Sequence, residues 1–255
     1  MTTERRVLVH RDKQTLAGSV AARFITKTID ILDDLGAANV ILTGGTMGAA
    51  TLAEIATSSA SGNVDWSRVH FWWGDERWVP RGHEDRNDVQ AGDLFTRLDV
   101  PAENVHAFPA SDDGIDLDAA ATLYDAQLRA HATEGRDYPR FDITFLGVGP
   151  DGHIASLFPE RSAIRSTEAG VLPVRNSPKP PPERLTLTLP LINQSDRIWM
   201  VLAGADKASA LGLALAGANT NEVPVAGAFG RKRTVFFVDQ EAAAEVPESL
   251  IAPSY

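Results

Sequence analysis

Short runs of consecutive apolar residues alternate along the chain with longer runs in which apolar positions recur every third or fourth residue. RVLVH at 6–10, ANVILTGG at 38–45, RVHFWWGDE at 68–76 and FDITFLGVG at 141–149 read as strands. Residues 14–34, Met47–Ala56, Asn87–Leu98 and Asp116–His131 carry helical spacing. Strand and helix in alternation predict an α/β fold, an open and mostly parallel sheet covered by helices on both faces. Beyond Pro159 the pattern is more mixed, with VLPVRN, RLTLTLPLI, RIWMVLAG and TVFFVD as strands and DKASALGLALAG as a helix. RLTLTL alternates polar with apolar and predicts a half-exposed edge strand. Ser177–Glu183, SPKPPPE, holds four prolines in seven residues and predicts a stiff loop rather than a flexible linker. No repeat of solenoid length occurs, and 255 residues are expected to form a single domain over 1–255.

Four of these strands end in glycine followed by polar residues. The ends are Thr43-Gly44-Gly45-Thr46, Gly74-Asp75-Glu76-Arg77, Gly147 to His153, and Gly204-Ala205-Asp206-Lys207. Any one such turn is ordinary in an α/β fold, but four carrying Thr, Asp, Arg, His and Lys predict a shared polar crevice at the carboxyl edge of the sheet. TGGTMG follows a strand and opens a helix, so the amides of Gly44, Gly45 and Thr46 can surround an anion. No Gly-Lys-Ser/Thr follows, which excludes a P-loop and favours a sugar phosphomonoester over a nucleoside triphosphate. Arg184 and Lys207 are the candidate cations.

Gly147, Gly149 and Gly152 spell G-x-G-x-x-G, but Pro159 arrives too soon for the long helix that a dinucleotide site needs, and Asp151 would oppose the phosphates. His153, in a glycine-bounded turn beside Asp151, is the best acid-base candidate. A short helix after it would disfavour its protonation, and Asp151 would favour it. His10, His70, His106 and His131 read as packed or surface residues. In WWGDERWVP, charges embedded among tryptophans must pair or face a cavity, and an internal ion pair of Arg77 is expected to stiffen the loop. Asp75, His83, Asp151 and His153 lack the local spacing of a metal site, so no metal is expected.

The net charge of −10 argues against nucleic acid or an anionic membrane as partner, while a few local cations still suit a small anion. Cysteine is absent, which removes disulfide and thiolate chemistry. The start, MTTERRVLVHRDKQ, is charged throughout, with no apolar leader core, and a cytoplasmic protein is expected.

Taken together and in this order, TGGT, WGDERWVP, GVGPDGHIASLFP, PERLTLTLP and GADKA resemble the glucosamine-6-phosphate isomerase/6-phosphogluconolactonase family over nearly the whole chain. The resemblance implies a modified Rossmann-like fold shared with glucosamine-6-phosphate deaminase. It also implies hydrolysis of 6-phospho-D-glucono-1,5-lactone in the oxidative pentose phosphate pathway, without a cofactor. By the same resemblance, Gly44, Gly45, Thr46, Arg184 and Lys207 hold the 6-phosphate and His153 activates water, while Asp151 and Asp75 orient His153 or the sugar hydroxyls. The related deaminases continue D-G-H-I-A toward F-N-E-P-G, with a glutamate that assists ring opening. Here Phe158 stands at that glutamate position, and an apolar side chain relays no proton. A non-catalytic sugar-phosphate-binding regulator would keep the cations but has no use for the His153 turn.

Overall fold

A computed structural model of the protein describes residues 4–250, so both limits of the expected domain lie outside the described residues. In chain order come β1 (Glu4–His10), α1 (Lys13–Leu35), β2 (Ala38–Leu42) and α2 (Gly45–Thr57), then β3 (Val69–Trp73) and β4 (Asp75–Arg77). The short helices α3 (Asn87–Gln90) and α4 (Gly92–Arg97) precede α5 (Leu117–Ala130) and β5 (Ile143–Gly147). The remainder is β6 (Val171–Val174), β7 (Arg184–Leu187), α6 (Leu189–Ile192), β8 (Arg197–Leu202), α7 (Ala208–Leu215) and β9 (Arg233–Asp239).

Six strands form the main sheet in the order β1-β9-β8-β5-β2-β3, with every pairing parallel. Both faces are covered, which is why these strands are nearly continuous apolar runs. Successive residues of β3 show the two faces. Phe71 stacks on Trp66, which packs on Phe24 of α1, whereas Trp72 meets Tyr124 of α5. Asp12 caps α1 by accepting from Thr15 N at 2.8 Å, and Gly36 ends it in the left-handed region at φ 81°. From β2 the chain steps outward to β3, then returns past β2 to β5 and onward to β8 and β9. The direction of winding therefore reverses between β2 and β5, and a reversal of this kind opens a crevice at the carboxyl ends of the two strands.

Several expectations change. The run 68–76 is not one strand, because Gly74 hands the chain from one sheet to another. Its N–H donates to Leu42 O at 3.1 Å in the main sheet, while its carbonyl accepts from Leu187 N at 2.9 Å in a three-stranded antiparallel sheet, β4-β7-β6. RLTL is not a half-exposed edge. It is the central strand β7, buried throughout, because β4 and β6 flank it and its threonine finds a partner inside: Thr186 Oγ1 donates to Leu187 O at 3.0 Å. LPLI, expected as strand, forms α6, capped by Thr188 and opened by Pro190. The helical run 87–98 divides at Ala91, just ahead of Gly92, a weak helix former.

On the α5 side of the sheet, His70, His106 and His131 gather around Trp72. His106 stacks on Trp72 with 3.8 Å between ring centroids and lies 4.6 Å from His131. Gln127 Nε2 faces His106 Nδ1 at 3.3 Å, which assigns Nδ1 as acceptor and leaves Nε2–H to donate to His70 Nδ1 at 3.1 Å. Burial, then the repulsion of the neighbouring histidines, lowers His106 to about 3, and burial followed by His131 lowers His70. A histidine kept neutral in the fold stabilises it only while the unfolded chain is neutral as well. Stability is therefore expected to fall as pH drops below the ordinary histidine value near 6.5. Urea midpoints at pH 7.5 and 5.5 test this, and His106→Gln should shrink the difference between them. An equal pH dependence in wild type and variant would contradict it.

Candidate active site

At the carboxyl ends of β2 and β5 lies a cavity of about 490 Å³. Its walls come from all four glycine-ended turns. Gly44, Gly45 and Thr46 supply one side, Asp75 and Arg77 a second, Gly147–Pro150 with His153 a third, and Asp206 with Lys207 a fourth. The first and third turns are tied together by Gly147 N–H donating to Thr43 Oγ1 at 3.3 Å. No side chain caps α2, and of the Gly44–Thr46 amides it is Gly45 N–H that is taken up, by Gln90 Oε1 at 3.1 Å. The open amides and the helix dipole favour an anion there.

The loop after β5 contains no helix. Ile154 bridges to Val148 and to Leu157, and Gly149 N–H donates to His153 O at 2.9 Å. The helix dipole expected to act on His153 is thus removed, and the neighbouring charges remain. His153 Nδ1 lies 2.5 Å from Asp151 Oδ1, with Lys179 Nζ at 3.5 Å from the same oxygen. Burial resists ionisation of Asp151, but the His153 hydrogen bond and the charges of His153 and Lys179 outweigh it and hold the carboxyl well below the usual range. An ionised carboxylate at that distance fixes Nδ1 as the donor, so Lys179, at 3.4 Å from Nδ1, serves the carboxylate instead. Nε2 is left as the basic nitrogen, and His153 lines the cavity. Gly149 makes this geometry possible: a Cβ there would stand 2.0 Å from His153 Nδ1. Phe158, fully buried, packs under the imidazole with 4.6 Å between ring centroids.

Asp75 does not reach His153. Its carboxylate accepts from Ser156 Oγ at 2.7 Å and from Asn87 Nδ2 at 3.2 Å, binding the β4 turn to the His153 loop. Arg184 donates to the carbonyls of Lys179, Pro180 and Pro181 at 2.9–3.2 Å, so it sets the proline loop while lining the cavity. Lys207 pairs with Asp206 at 3.0 Å. Two cations were missed in the sequence, Lys13 at the start of α1 and Lys179. Four prolines around Lys179 were the available sign, since fixed φ angles hold a side chain in place as well as stiffening a loop.

The ion pair expected of Arg77 is made by Arg86. Arg77 lines the cavity and donates to Asn87 Oδ1, with no carboxylate partner among the described residues. Arg86 is fully buried, 2.8 Å from Asp88 Oδ2 and 4.0 Å from Glu76 Oε2, and donates to Phe108 O at 2.8 Å. Glu76 accepts from the N–H groups of Arg77, Asn87 and Asp88 at 2.7–3.0 Å, while burial pushes its carboxyl up to about 7. His83 lies in an exposed turn and accepts from Asp85 N at 3.2 Å, away from the cavity.

The sequence pattern of the glucosamine-6-phosphate isomerases/6-phosphogluconolactonase family matches residues 11–237. The chain belongs to this family. It is 46% identical to a 6-phosphogluconolactonase of Streptomyces coelicolor, over all of this chain and 99% of that one. A 6-phosphogluconolactonase of Mycobacterium tuberculosis is 42% identical over 94% of this chain and 95% of its own. Among solved structures, a 6-phosphogluconolactonase of Thermotoga maritima superposes with a TM-score of 0.81 at 26% identity, covering 93% of this chain and all of that one. A monomeric glucosamine-6-phosphate deaminase shares the fold, with a TM-score of 0.76 at 20% identity over 94% of this chain and 99% of its own.

Replacing Arg86 leaves the Asp88 carboxylate without its cation and the buried Phe108 and Pro109 carbonyls without their donor, so Arg86→Leu should lower the unfolding free energy by about 3–5 kcal/mol. Arg77→Ala, at the cavity wall, should cost less than about 1 kcal/mol. Denaturant titrations compare the two, and equal losses would return the supporting role to Arg77.

Proposed function

We infer that the chain hydrolyses 6-phospho-D-glucono-1,5-lactone to 6-phospho-D-gluconate, the lactone-opening step of the oxidative pentose phosphate pathway. The observation that carries this reading is the His153–Asp151 pair, with Nε2 of His153 left basic at the wall of a cavity that an uncapped helix start and Lys207 also line. The reading takes the chain as a single sugar-phosphate hydrolase domain of the cytoplasm that works without a cofactor. Its relatives at 42–46% identity bear the lactonase name.

The 6-phosphate lies against the Gly44–Thr46 turn, with Lys207 and the cavity-facing side of Arg184 as its cations. Each charge-assisted hydrogen bond contributes roughly 1.5–3 kcal/mol. The lactone carbonyl then reaches the His153 wall. Nε2 takes a proton from a water molecule as its oxygen bonds to C1, and returns that proton to the ring oxygen as the C1–O bond breaks. Asp151 orients the imidazole and steadies the imidazolium that forms between the two transfers. Of the two carboxylates weighed for that task, Asp75 instead ties the loops together through Ser156 and Asn87. Lactones are activated esters, so positioning and one base suffice.

Ring opening of an amino sugar asks for a further proton relay. The position expected to hold its glutamate is Phe158, which forms the apolar underside of His153.

His153→Ala should reduce turnover by roughly 10²–10⁴-fold with little change in substrate affinity. Proton release from freshly generated lactone measures it, and wild-type turnover in a folded variant would exclude His153. Under the same conditions glucosamine 6-phosphate should yield no ammonia. Ammonia release without lactone opening would make the chain a deaminase.

A further inference from the structure

Lys179 reaches the His153–Asp151 pair from a separate part of the chain, and its backbone is fixed on both sides. Its N–H donates to Ser177 Oγ at 3.3 Å, and its carbonyl accepts from Ser177 Oγ at 2.9 Å and from Arg184 Nη2 at 3.2 Å. Pro178 and Pro180, its chain neighbours, restrict the loop further. A lysine on an open surface samples many rotamers, whereas this one is aimed. Its Nζ lies 3.5 Å from Asp151 Oδ1 and 3.4 Å from His153 Nδ1, on the side of the ring away from the basic Nε2.

Two donors thus converge on one carboxylate oxygen, and only the imidazole changes its charge during the reaction. Asp151 favours the imidazolium, and the ammonium beside Nδ1 opposes it. The remaining neighbours leave this balance alone: Phe158 lies beneath the ring, the Asp75 carboxylate is taken up by Ser156 and Asn87, and Arg184 is turned to the loop carbonyls. Arg77, Lys13, Asp206 and Lys207 line other walls of the cavity. We propose that Lys179 is a positioning residue of the reaction, which shares the Asp151 carboxylate with His153 and so sets how readily the imidazole takes its proton and gives it up. The proposal rests on His153 acting as the base. With Lys179 in place, the imidazole stays unprotonated to lower pH, and the imidazolium is a stronger acid toward the departing ring oxygen.

Proton NMR titration of the His153 ring in substrate-free protein, with its signal identified by its loss in His153→Ala, tests the contact without any reaction. Lys179→Met removes the charge from a side chain that is 40% exposed, so the fold should survive the change. The variant should titrate about 0.5–1 pH unit above wild type, a size that allows for screening by solvent, and Lys179→Arg should stay near wild type. In turnover, the acid limb of the kcat/KM profile should move up by the same amount in Lys179→Met. The preference for the phosphorylated over the unphosphorylated lactone at pH 7.5 should hold, because the effect lies on the base and not on the phosphate. The proposal is overturned by an unmoved or lowered midpoint in Lys179→Met, and by an equal rise in Lys179→Arg, which would trace the change to loop packing. An unmoved midpoint with a falling lactone preference would make Lys179 a substrate cation instead. A midpoint that rises while the acid limb stays in place would overturn it from the other side, by showing that His153 is not the base.

Discussion

The parallel pairing of β2 with β5, Val40 against Ile143 and Ile41 against Thr144, is the constraint on which the site depends. These strands lie a hundred residues apart in the chain, and the connections leaving them run in opposite directions across the sheet. Side by side, they release the Thr43–Thr46 turn and the Gly147–His153 turn into one crevice, joined by the Gly147–Thr43 hydrogen bond. One turn offers helix amides to an anion and the other offers an imidazole. The spacing between these amides and His153 is thus set by the sheet, whose rigidity comes from burial on both faces.

The small antiparallel sheet completes the enclosure. Gly74 belongs to both sheets through its two backbone hydrogen bonds, and so places Asp75 where it holds Ser156 and Asn87. Arg184, at the start of β7, fixes the carbonyls of the proline loop and with them the position of Lys179 beside Asp151. A fully buried Arg86 and the Glu76 carboxylate stiffen the segment that follows β4. Polar groups sequestered from water must be satisfied in this way or they destabilise the fold, so the scaffold of the site is also part of its stability.

Much of this was legible in the sequence. The buried strands showed as apolar runs, and the glycine-ended turns announced a crevice because a parallel sheet gathers its strand ends at one edge. Phe158 was legible as a departure from the deaminase pattern. What escaped was set by tertiary contact. The apolar run 68–76 continues through Gly74 without a break in hydropathy, although the chain changes sheets there. RLTL alternates like an edge strand, yet it is buried because two short strands flank it. Arg77 and Arg86 look equivalent in sequence, and only the fold decides which one meets Glu76 and Asp88. Lys13 lies far from the other site residues along the chain, while Lys179, five residues before Arg184, stood within the proline run that read only as a stiff loop.

The central claim is that the anion anchor presents the lactone to His153, so that binding energy gained at the phosphate lowers the barrier at C1. The most direct measurement is the ratio of kcat/KM for 6-phosphogluconolactone over unphosphorylated gluconolactone, in wild type and in Lys207→Ala. The account predicts a large ratio in the wild type that falls by about 10–100-fold in the variant, with kcat for the phosphorylated lactone reduced as well as KM raised. A wild-type ratio near unity, or one unchanged by removing Lys207, would contradict it.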